Sequence, residues 1–368
     1  MVIEPLLPTA SRTRATRRVA IGDVIVGGDT IPVIAGPCAV EAGYGAHAEA
    51  VKQAGASALR GCVLKPRTHA DSFQGIGAAG LPLIDRAREA TGLPVLSEPL
   101  EPGDIAMLDG HADALLIGAR SMHNTPLLRA AGRSRLPVVL KRGMSATYDE
   151  WLAAAGYITA EGNADVILCE RGIRTFETAT RNTLDVSAVA VLRDRTDLPI
   201  AVDPSHAAGK ATWVPALASA AVAAGADALL IECHPDPQRS VCDAAQAVTP
   251  QVLARIVRAT ASIAPLIRSV QLDSMASCRS AIDAVDDVLI QLLEQRAAVV
   301  EVVQRGKTAA GLPRRDRRRE REIVARLHAL APRLGEQRVR RLVEVIINEC
   351  VDAAREAADG PDVEKVVA

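Results

Sequence analysis

Eight short apolar runs recur along residues 32–231, and charged or metal-capable side chains close them. The runs are Pro32–Ala35, Ala58–Leu64, Pro94–Leu96, Ala114–Ile117, Pro137–Leu140, Asp165–Leu168, Leu198–Val202 and Ala228–Ile231. Alanine-rich stretches with helical periodicity separate them, which implies parallel pairing of the strands. Eight repeats favour a closed (β/α)8 TIM barrel, whose catalytic face lies at the downstream ends of its strands. No Gly-x-Gly-x-x-Gly opens a helix, so a dinucleotide-binding sheet lacks its phosphate loop.

A chain of 368 residues exceeds the usual size of one domain, so we expect a barrel plus a smaller unit. Beyond about residue 262 strand signals end and helical periodicity continues. The predicted divisions are a disordered tail at 1–18, the barrel at 19–262 opening with a hairpin around Gly27-Gly28-Asp29, a linker at 263–269, an all-helical domain at 270–358, and a tail at 359–368.

Composition excludes several classes of function. The net charge of −1 gives no case for nucleic acid or an anionic membrane, and we expect neither as a partner. No apolar run approaches the roughly 20 residues that a membrane helix needs. The seven cysteines are scattered without paired spacing, which is typical of a reduced, cytoplasmic protein.

Four residues at or just after strand ends have the chemistry to bind a divalent metal: Cys38, His206, Glu232 and Asp243. Taken singly, each residue is more often a satisfied core group than a ligand. Their common position, at the ends of strands one, seven and eight, favours a metal. A thiolate, an imidazole and two carboxylates suit Mn²⁺, Fe²⁺, Co²⁺ or Zn²⁺ better than Mg²⁺.

Cationic residues close four more strands. Lys65-Pro66-Arg67 follows strand two, and Arg120, Lys141-Arg142 and Arg171 close strands four, five and six. Arg60 lies within strand two. Such cations repel one another unless anions occupy the pocket, so we expect substrates that carry phosphate and carboxylate groups.

Several motifs at these strand ends carry a specific resemblance. They are Gly36–Glu41 (GPCAVE), Lys65–Thr68 (KPRT) with Ser72–Gly75 (SFQG), Ile167–Glu177 (ILCERGIRTFE), Arg181–Asp185 (RNTLD) and Asp203–Ala207 (DPSHA). In this order they resemble the type I-beta 3-deoxy-D-arabino-heptulosonate 7-phosphate (DAHP) synthases over about residues 19–262. The resemblance implies metal-dependent condensation of phosphoenolpyruvate with erythrose 4-phosphate, the entry step of the shikimate pathway. The related synthases of an eight-carbon sugar-acid phosphate carry Lys-Ala-Asn-Arg-Ser where this chain has KPRT.

Carried over residue by residue, the resemblance implies roles for these positions. The metal ligands are Cys38, His206, Glu232 and Asp243, with Mn²⁺ the expected ion. Phosphoenolpyruvate contacts are expected from Arg60, Lys65, Arg120, Lys141 and Arg171. Erythrose 4-phosphate contacts are expected from Arg67, Thr68 and Ser205. The catalytic residues are Lys65, Lys141 and His206, of which Lys141 and His206 are the two candidates for handling the proton of the attacking water.

The C-terminal residues predict one long helix with a narrow apolar seam, followed by two shorter helices at about 316–331 and 337–357. Arg296 and Lys307 are eleven residues apart, so they share a face about 16 Å apart along the axis. Arg279 is turned by about 100° and lies about 25 Å from Arg296, beyond easy reach of the same pocket. Asp316 is either a site residue or an ordinary helix N-cap.

This layout resembles the all-helical chorismate mutases over about residues 270–357. The resemblance implies an intertwined homodimer, itself open to higher assembly, and binding of chorismate or prephenate by Arg279, Arg296, Lys307, Asp316, Arg319 and Glu320. Ala354 and Cys350 depart from the family's usual Gln or Glu and Ser. We therefore expect weak mutase activity together with sensing of chorismate or prephenate. The alternatives are a purely regulatory or dimerising helical domain, and a barrel that uses another aldose phosphate.

Overall fold

The computed structural model describes residues 2–3, 15–67, 69, 71–267, 270–271 and 274–359. The chain divides into two compact units, Met1–Ser277 and Cys278–Ala368. Each unit is described by itself.

The first unit contains a closed barrel of eight parallel strands in the order β10-β11-β4-β5-β6-β7-β8-β9. These strands are β4 (Val33–Gly36), β5 (Ala58–Arg60), β6 (Val95–Ser97), β7 (Ala114–Ile117), β8 (Val138–Lys141), β9 (Val166–Glu170), β10 (Ile200–Val202) and β11 (Ala228–Glu232). Every residue of the eight strands is buried, as expected for a sheet covered on both faces. The predicted TIM barrel is confirmed. The second strand of the barrel, β5, is shorter than predicted: it ends at Arg60, and Lys65 lies in the loop that follows.

Helices cover the outside of the barrel. They are α1 (Tyr44–Gln53), α2 (Leu81–Thr91), α3 (Pro102–Leu108), α4 (Thr125–Arg133), α5 (Tyr148–Thr159), α6 (Ser187–Arg195), α7 (Pro204–Ala208), α8 (Val214–Ala223) and α9 (Pro250–Ile267). Short 3-10 turns lie at 77–80, 119–121, 211–213, 237–239 and 244–246. Local sequence fixes several starts: Asn124 caps α4, and Thr147 with Glu150 forms a capping box on α5. Alternate strand residues fill the barrel interior or pack on the helices, which gives two core layers.

A two-stranded hairpin, β2 (Val19–Ile21) and β3 (Val24–Val26), precedes the barrel. The hairpin is confirmed, but its turn lies at Gly22-Asp23 rather than at the predicted Gly27-Gly28-Asp29, because Gly22 supplies the positive φ of 55° that a tight turn requires. Val19, Ile21 and Val26 join the interior core cluster, and Gly22 lies beside Pro94, just before β6. The hairpin therefore covers the amino ends of the strands, opposite the predicted catalytic face.

Two expectations about the ends of this unit differ from the structure. Within the tail predicted to be disordered, β1 (Val2–Ile3) pairs with β12 (Val270–Gln271), and Arg17 forms an ion pair of 2.9 Å with Asp197. The predicted linker at 263–269 is helical through Ile267, since Ala264 and Ile267 are buried. Residues 4–14, 268–269 and 360–368 lie outside the described part of the chain.

The second unit consists of α10 (Met275–Ala309), α11 (Arg317–Leu330) and α12 (Gly335–Asp359). Its described core is small and is formed by Val324, Val339, Val343 and Ile347 on the two shorter helices. The predicted seam of α10 is largely exposed: Ile282 is 59% exposed, Leu289 51% and Val299 59%.

Candidate active site and metal centre

The four predicted metal ligands converge at the carboxyl end of the barrel. Cys38 follows β4, Glu232 ends β11, His206 lies on α7, and Asp243 precedes the turn at 244–246. The Cys38 Sγ lies 3.2 Å from Asp243 Oδ2, and the His206 Nε2 lies 3.4 Å from Glu232 Oε1 and 3.9 Å from Asp243 Oδ2. Cys38, Glu232 and Asp243 each offer a ligand atom within 4.8 Å of the others.

The protonation of these groups fits a cation. Burial lowers the pKa of His206 to about 4, so its ring is neutral at pH 7 and has a free lone pair. Burial alone would raise the pKa of Glu232 and Asp243, but His206 and nearby arginines outweigh it and hold both below their usual range. The hydrogen bond to Cys242 and burial raise the pKa of Cys38. Cys38 is therefore a thiol that would release its proton when it binds a metal.

Asp203 orients His206 and holds Lys141. Its Oδ2 lies 2.7 Å from His206 Nδ1 and accepts a hydrogen bond of 2.5 Å from Lys141 Nζ. Its Oδ1 accepts the His206 backbone N–H at 3.0 Å. Although burial penalises the charge of Asp203, His206 and Lys141 hold the pKa of its carboxyl well below the usual range. The approach of Asp203 Oδ2 to Nδ1 favours the tautomer with its proton on Nδ1, although the pair does not have hydrogen-bond geometry among the described residues. That tautomer leaves the Nε2 lone pair toward the other ligands.

Buried carboxylates compensate three of the predicted phosphoenolpyruvate-binding cations. Besides the Lys141 pair, Lys65 Nζ donates to Glu98 Oε2 at 2.9 Å, and Arg60 donates to Glu232. The expectation of mutually repelling cations was therefore wrong for these three. Arg60 also lies 3.6 Å from the Cys38 Sγ, and its Nε is buried with no hydrogen-bond partner among the described residues. A buried donor in this position is available to an anionic ligand.

The remaining predicted substrate contacts differ in burial. Arg171 is buried and donates to the Gly172 carbonyl, whereas Arg67 is half-buried and Arg120 is exposed at the mouth. Ser205 is fully buried, and its Oγ accepts the Glu232 backbone N–H at 3.0 Å. Thr68 lies outside the described residues.

Arg142, which the sequence places among the strand-end cations, is part of a structural network. It donates to Glu170 Oε2 at 3.0 Å and to Asp185 Oδ2 at 2.8 Å. Glu170 Oε1 accepts the Gly172 backbone N–H at 2.7 Å. This network fixes the loop that follows β9.

An open cavity of about 440 Å³ adjoins Asp243. Its lining includes Arg181, Lys210, Trp213 and Gln246, and the Lys210 Nζ lies 5.0 Å from the centre of the Trp213 ring. Cationic side chains from the loops after β9 and β10 therefore line an open path from solvent to the four predicted metal ligands.

A second group with ligand chemistry comprises Glu41 and His234, on the loops after β4 and β11, and His47 on α1. The His234 Nδ1 accepts the Asp236 backbone N–H at 2.9 Å, so the neutral ring carries its proton on Nε2 and donates it to Glu41. The other Glu41 oxygen accepts the Val241 N–H at 3.2 Å. Because Nε2 is protonated, we interpret this group as a hydrogen-bonded brace between loops and not as a metal site.

The helical unit contains six predicted chorismate-binding residues, and local contacts engage most of them. Asp316 caps α11, since its Oδ1 accepts the N–H groups of Arg318 and Arg319 at 3.0 Å each. Arg315 donates to both Glu320 oxygens at 2.6 Å. On α10, Arg296 donates to the Ile346 carbonyl and Lys307 to the Arg314 carbonyl.

Arg279 on α10 is exposed, and Arg319 lies 3.3 Å from Glu322. The two departures from the mutase pattern, Cys350 and Ala354, are both buried.

Comparison with known proteins identifies both units. The family model "DAHP synthetase I family" matches residues 9–268. The chain belongs to this family. The model "Chorismate mutase type II" matches residues 278–355. The protein is therefore an enzyme that joins a DAHP synthase barrel to a chorismate mutase domain, as the sequence resemblance predicted.

Individual relatives agree. The chain is 43% identical over 240 residues to a phospho-2-dehydro-3-deoxyheptonate aldolase of Thermotoga maritima, an alignment that covers 65% of this chain and 71% of the relative. A crystal structure of the Thermotoga maritima DAHP synthase superposes with a TM-score of 0.65 at 41% identity, covering 68% of this chain and 73% of that one. A 2-dehydro-3-deoxyphosphooctonate aldolase of Rhodopseudomonas palustris is 36% identical and covers 61% of this chain and 85% of the relative.

The structure adds site residues that sequence reasoning did not assign. Glu98 directly follows β6, so the strand-end pattern that marked the other positions could have found it. Asp203 stands in a quoted motif, but its bonds to Lys141 and His206 leave no trace in spacing. Arg181 stands in the quoted motif Arg181–Asp185, but both it and Gln246 lie in loops far from strand ends, so the strand-end pattern does not mark them.

Proposed function

We propose that the barrel condenses phosphoenolpyruvate with erythrose 4-phosphate and water in a metal-dependent reaction that releases phosphate, and that the helical domain converts chorismate to prephenate. The observation that carries the proposal is the meeting of Cys38, His206, Glu232 and Asp243 beside Arg60 and Lys141 at one barrel mouth.

Cys38, His206, Glu232 and Asp243 would hold the metal, with Mn²⁺ as the ion we favour and Fe²⁺, Co²⁺ or Zn²⁺ as alternatives. When bound, such an ion supplies Lewis-acid polarisation of the aldehyde of erythrose 4-phosphate. The donor set supports this assignment, because it combines a neutral imidazole, two ionised carboxylates and a thiol that can lose its proton.

Arg60, Lys65, Arg120, Lys141 and Arg171 would bind the carboxylate and phosphate of phosphoenolpyruvate. The two ammonium groups each have three donors and use only one on Glu98 or Asp203, so the others can reach an anion. These contacts would neutralise the carboxylate and the phosphate and would fix C3 of phosphoenolpyruvate for attack on the aldehyde. Release of phosphate follows when water has added at C2.

We assign the proton of that water to Lys141 and not to His206. Both ring nitrogens of His206 are directed at carboxylates, Nδ1 at Asp203 and Nε2 at Glu232 and Asp243. The Lys141 ammonium can instead pass one of its protons to Asp203 Oδ2 and then take up the proton of the water on the lone pair that this leaves. Lys65 would act with it as a second positioned ammonium.

Arg67 and Thr68 would bind the phosphate of the aldose, which would approach through the cavity beside Arg181 and Lys210. For Ser205 we propose a supporting role, since its hydroxyl holds the backbone of Glu232.

The barrel proposal is tested by incubating the full-length protein with phosphoenolpyruvate and either erythrose 4-phosphate or a five-carbon aldose phosphate, with and without a chelator. We expect phosphate release with erythrose 4-phosphate, its loss on chelation and its recovery with Mn²⁺. Preference for the longer sugar would support the alternative synthase. Cys38→Ala should lose the activity and Cys169→Ala, in the barrel interior, should retain it.

For the helical domain we propose that Arg279, Arg296, Lys307, Asp316, Arg319 and Glu320 bind chorismate or prephenate. The exposed seam of α10 supports a homodimer of this domain, in which Arg279 would complete the partner's site. A cytoplasmic location accords with the seven free cysteines.

Chorismate consumption by the wild type and by Lys307→Ala tests the mutase. Equal rates at the background level would remove it and leave a sensing domain. Lys141→Ala should abolish condensation while chorismate turnover continues. Loss of both activities in a folded Lys141→Ala protein would contradict independent sites.

A further inference from the structure

Two side chains outside the ligand set, Arg181 and Gln246, each contact a carboxylate that we assign to the metal. The Gln246 Nε2 donates to Glu232 Oε2, and the Arg181 NH1 donates to Asp243 Oδ1 at 3.2 Å. The same NH1 donates to Gln246 Oε1 at 2.7 Å, so the two side chains also bind each other. Gln246 is 2% exposed.

These bonds are made to the oxygens that point away from the other ligands. The opposite oxygens, Glu232 Oε1 and Asp243 Oδ2, are the ones that face His206 Nε2 at 3.4 and 3.9 Å. Arg60 also donates to Glu232 Oε1, but a carboxylate oxygen has a second lone pair for a cation.

We propose that Arg181 and Gln246 are positioning residues that make both carboxylates bind the metal through a single oxygen. The bonds to the outer oxygens hold each carboxylate with one oxygen toward His206 Nε2 and the other away from it, which disfavours the rotation that chelation by both oxygens requires. Partners of this kind orient metal ligands and tune their affinity. The inference rests on the proposed metal site and names what sets its geometry.

The backbone around the pair supports this role. Asp243 adopts a φ of 54°, the only positive φ of a non-glycine among the described residues, and such a conformation must be stabilised by its surroundings. The Arg181 bond to Asp243 and the bond from Gln246 N–H to the Asp243 carbonyl at 3.2 Å both act on this residue.

Arg181 is itself fixed against the helix that carries His206. Its backbone N–H donates to the Ala208 carbonyl at 3.3 Å. Gly209, at a φ of 67°, lies so close that a Cβ there would be 2.5 Å from the Arg181 Cβ. The loop after β9, which begins with the proposed substrate contact Arg171, is thereby linked to His206, Glu232 and Asp243 at once.

The test is a titration of the metal-free, full-length protein with Co²⁺, followed by absorption. Wild type should show a thiolate-to-cobalt charge-transfer band from Cys38 and a fixed set of visible d–d bands. Gln246→Met and Arg181→Met should keep the thiolate band, change the d–d bands, and weaken Co²⁺ binding about 10- to 100-fold. Gln53→Met and Arg129→Met, at exposed sites, are the matched controls and should match wild type.

Arg181→Lys separates positioning from a general loss of structure. A single nitrogen of Arg181 makes both bonds, so an ammonium can replace part of its action, and we expect an affinity between those of wild type and Arg181→Met. Wild-type d–d bands and affinity in both methionine variants would overturn the inference while leaving the metal site intact. Absence of the thiolate band in wild type would overturn the proposed site and the inference together.

Discussion

Replacement of Asp203 by Asn probes a buried carboxylate that lies against both Lys141 and His206. Asp203 is 0% exposed, and its carboxylate serves Lys141 and both the ring and the backbone of His206. Removing one partner of a buried ion pair costs about 3–5 kcal/mol, because the other charge stays buried. At about 2–4 °C per kcal/mol for a unit of this size, the melting temperature should fall by about 6–20 °C.

The same change removes the carboxylate that orients His206, which should weaken Mn²⁺ binding about 10- to 100-fold. Asp227→Asn is the matched control. Asp227 is 1% exposed, pairs with Arg193 at 3.1 Å and accepts the Ile200 backbone N–H at 3.0 Å, at the amino end of β10 and so opposite the four ligands. Thermal unfolding followed by circular dichroism and calorimetric Mn²⁺ titration measure the two effects. The control should lose stability alone, and wild-type Mn²⁺ affinity in Asp203→Asn would refute the orienting role.

Two further predictions concern thiols and acid. In native protein, alkylation at pH 8 with mass mapping should modify the half-buried Cys278 first, and Cys169 and Cys233 last, because burial raises the pKa of both buried thiols to about 12. Rapid labelling of Cys169 would contradict the barrel interior. Burial opposes the charge of Glu98, yet Lys65 outweighs it and lowers the pKa of Glu98. The ionised Glu98 therefore stabilises the folded protein fully above about pH 4.3, and this contribution is lost as the pH falls further. Urea unfolding across acid pH should therefore show a shallower loss in Glu98→Gln; an unchanged slope would refute it.

The fold was largely predictable, since buried parallel strands show as continuous apolar runs in the sequence. The runs that contain Val33 and Leu229, for example, are the first and last strands of the barrel and pair with each other. The positions of Cys38 and Glu232 followed from the same pattern, because strand ends meet at one face. The turn at Gly22 was missed, since several glycines competed for one hairpin.

The pairing of cations was missed for a different reason. Lys65 meets Glu98 in the loop after the next strand, and Lys141 at the end of β8 meets Asp203 after β10, two strands away. Linear spacing contains no measure of such contacts. Repulsion was inferred from the number of cationic residues at strand ends. The buried carboxylates that neutralise these cations are visible only in three dimensions. Side-chain pairs such as Arg181 with Gln246 are similarly hidden.

The first barrel strand, Val33–Gly36, pairs directly with the last, Ala228–Glu232. Cys38 and Glu232, separated by almost two hundred positions in the chain, acquire their proximity from that seam alone. During synthesis on the ribosome, a nascent chain therefore lacks the proposed ion-binding centre until its eighth strand has emerged and joined the first. Metal binding by the chain would accordingly show that the barrel has closed. A chain terminated upstream of β11 would lack this centre.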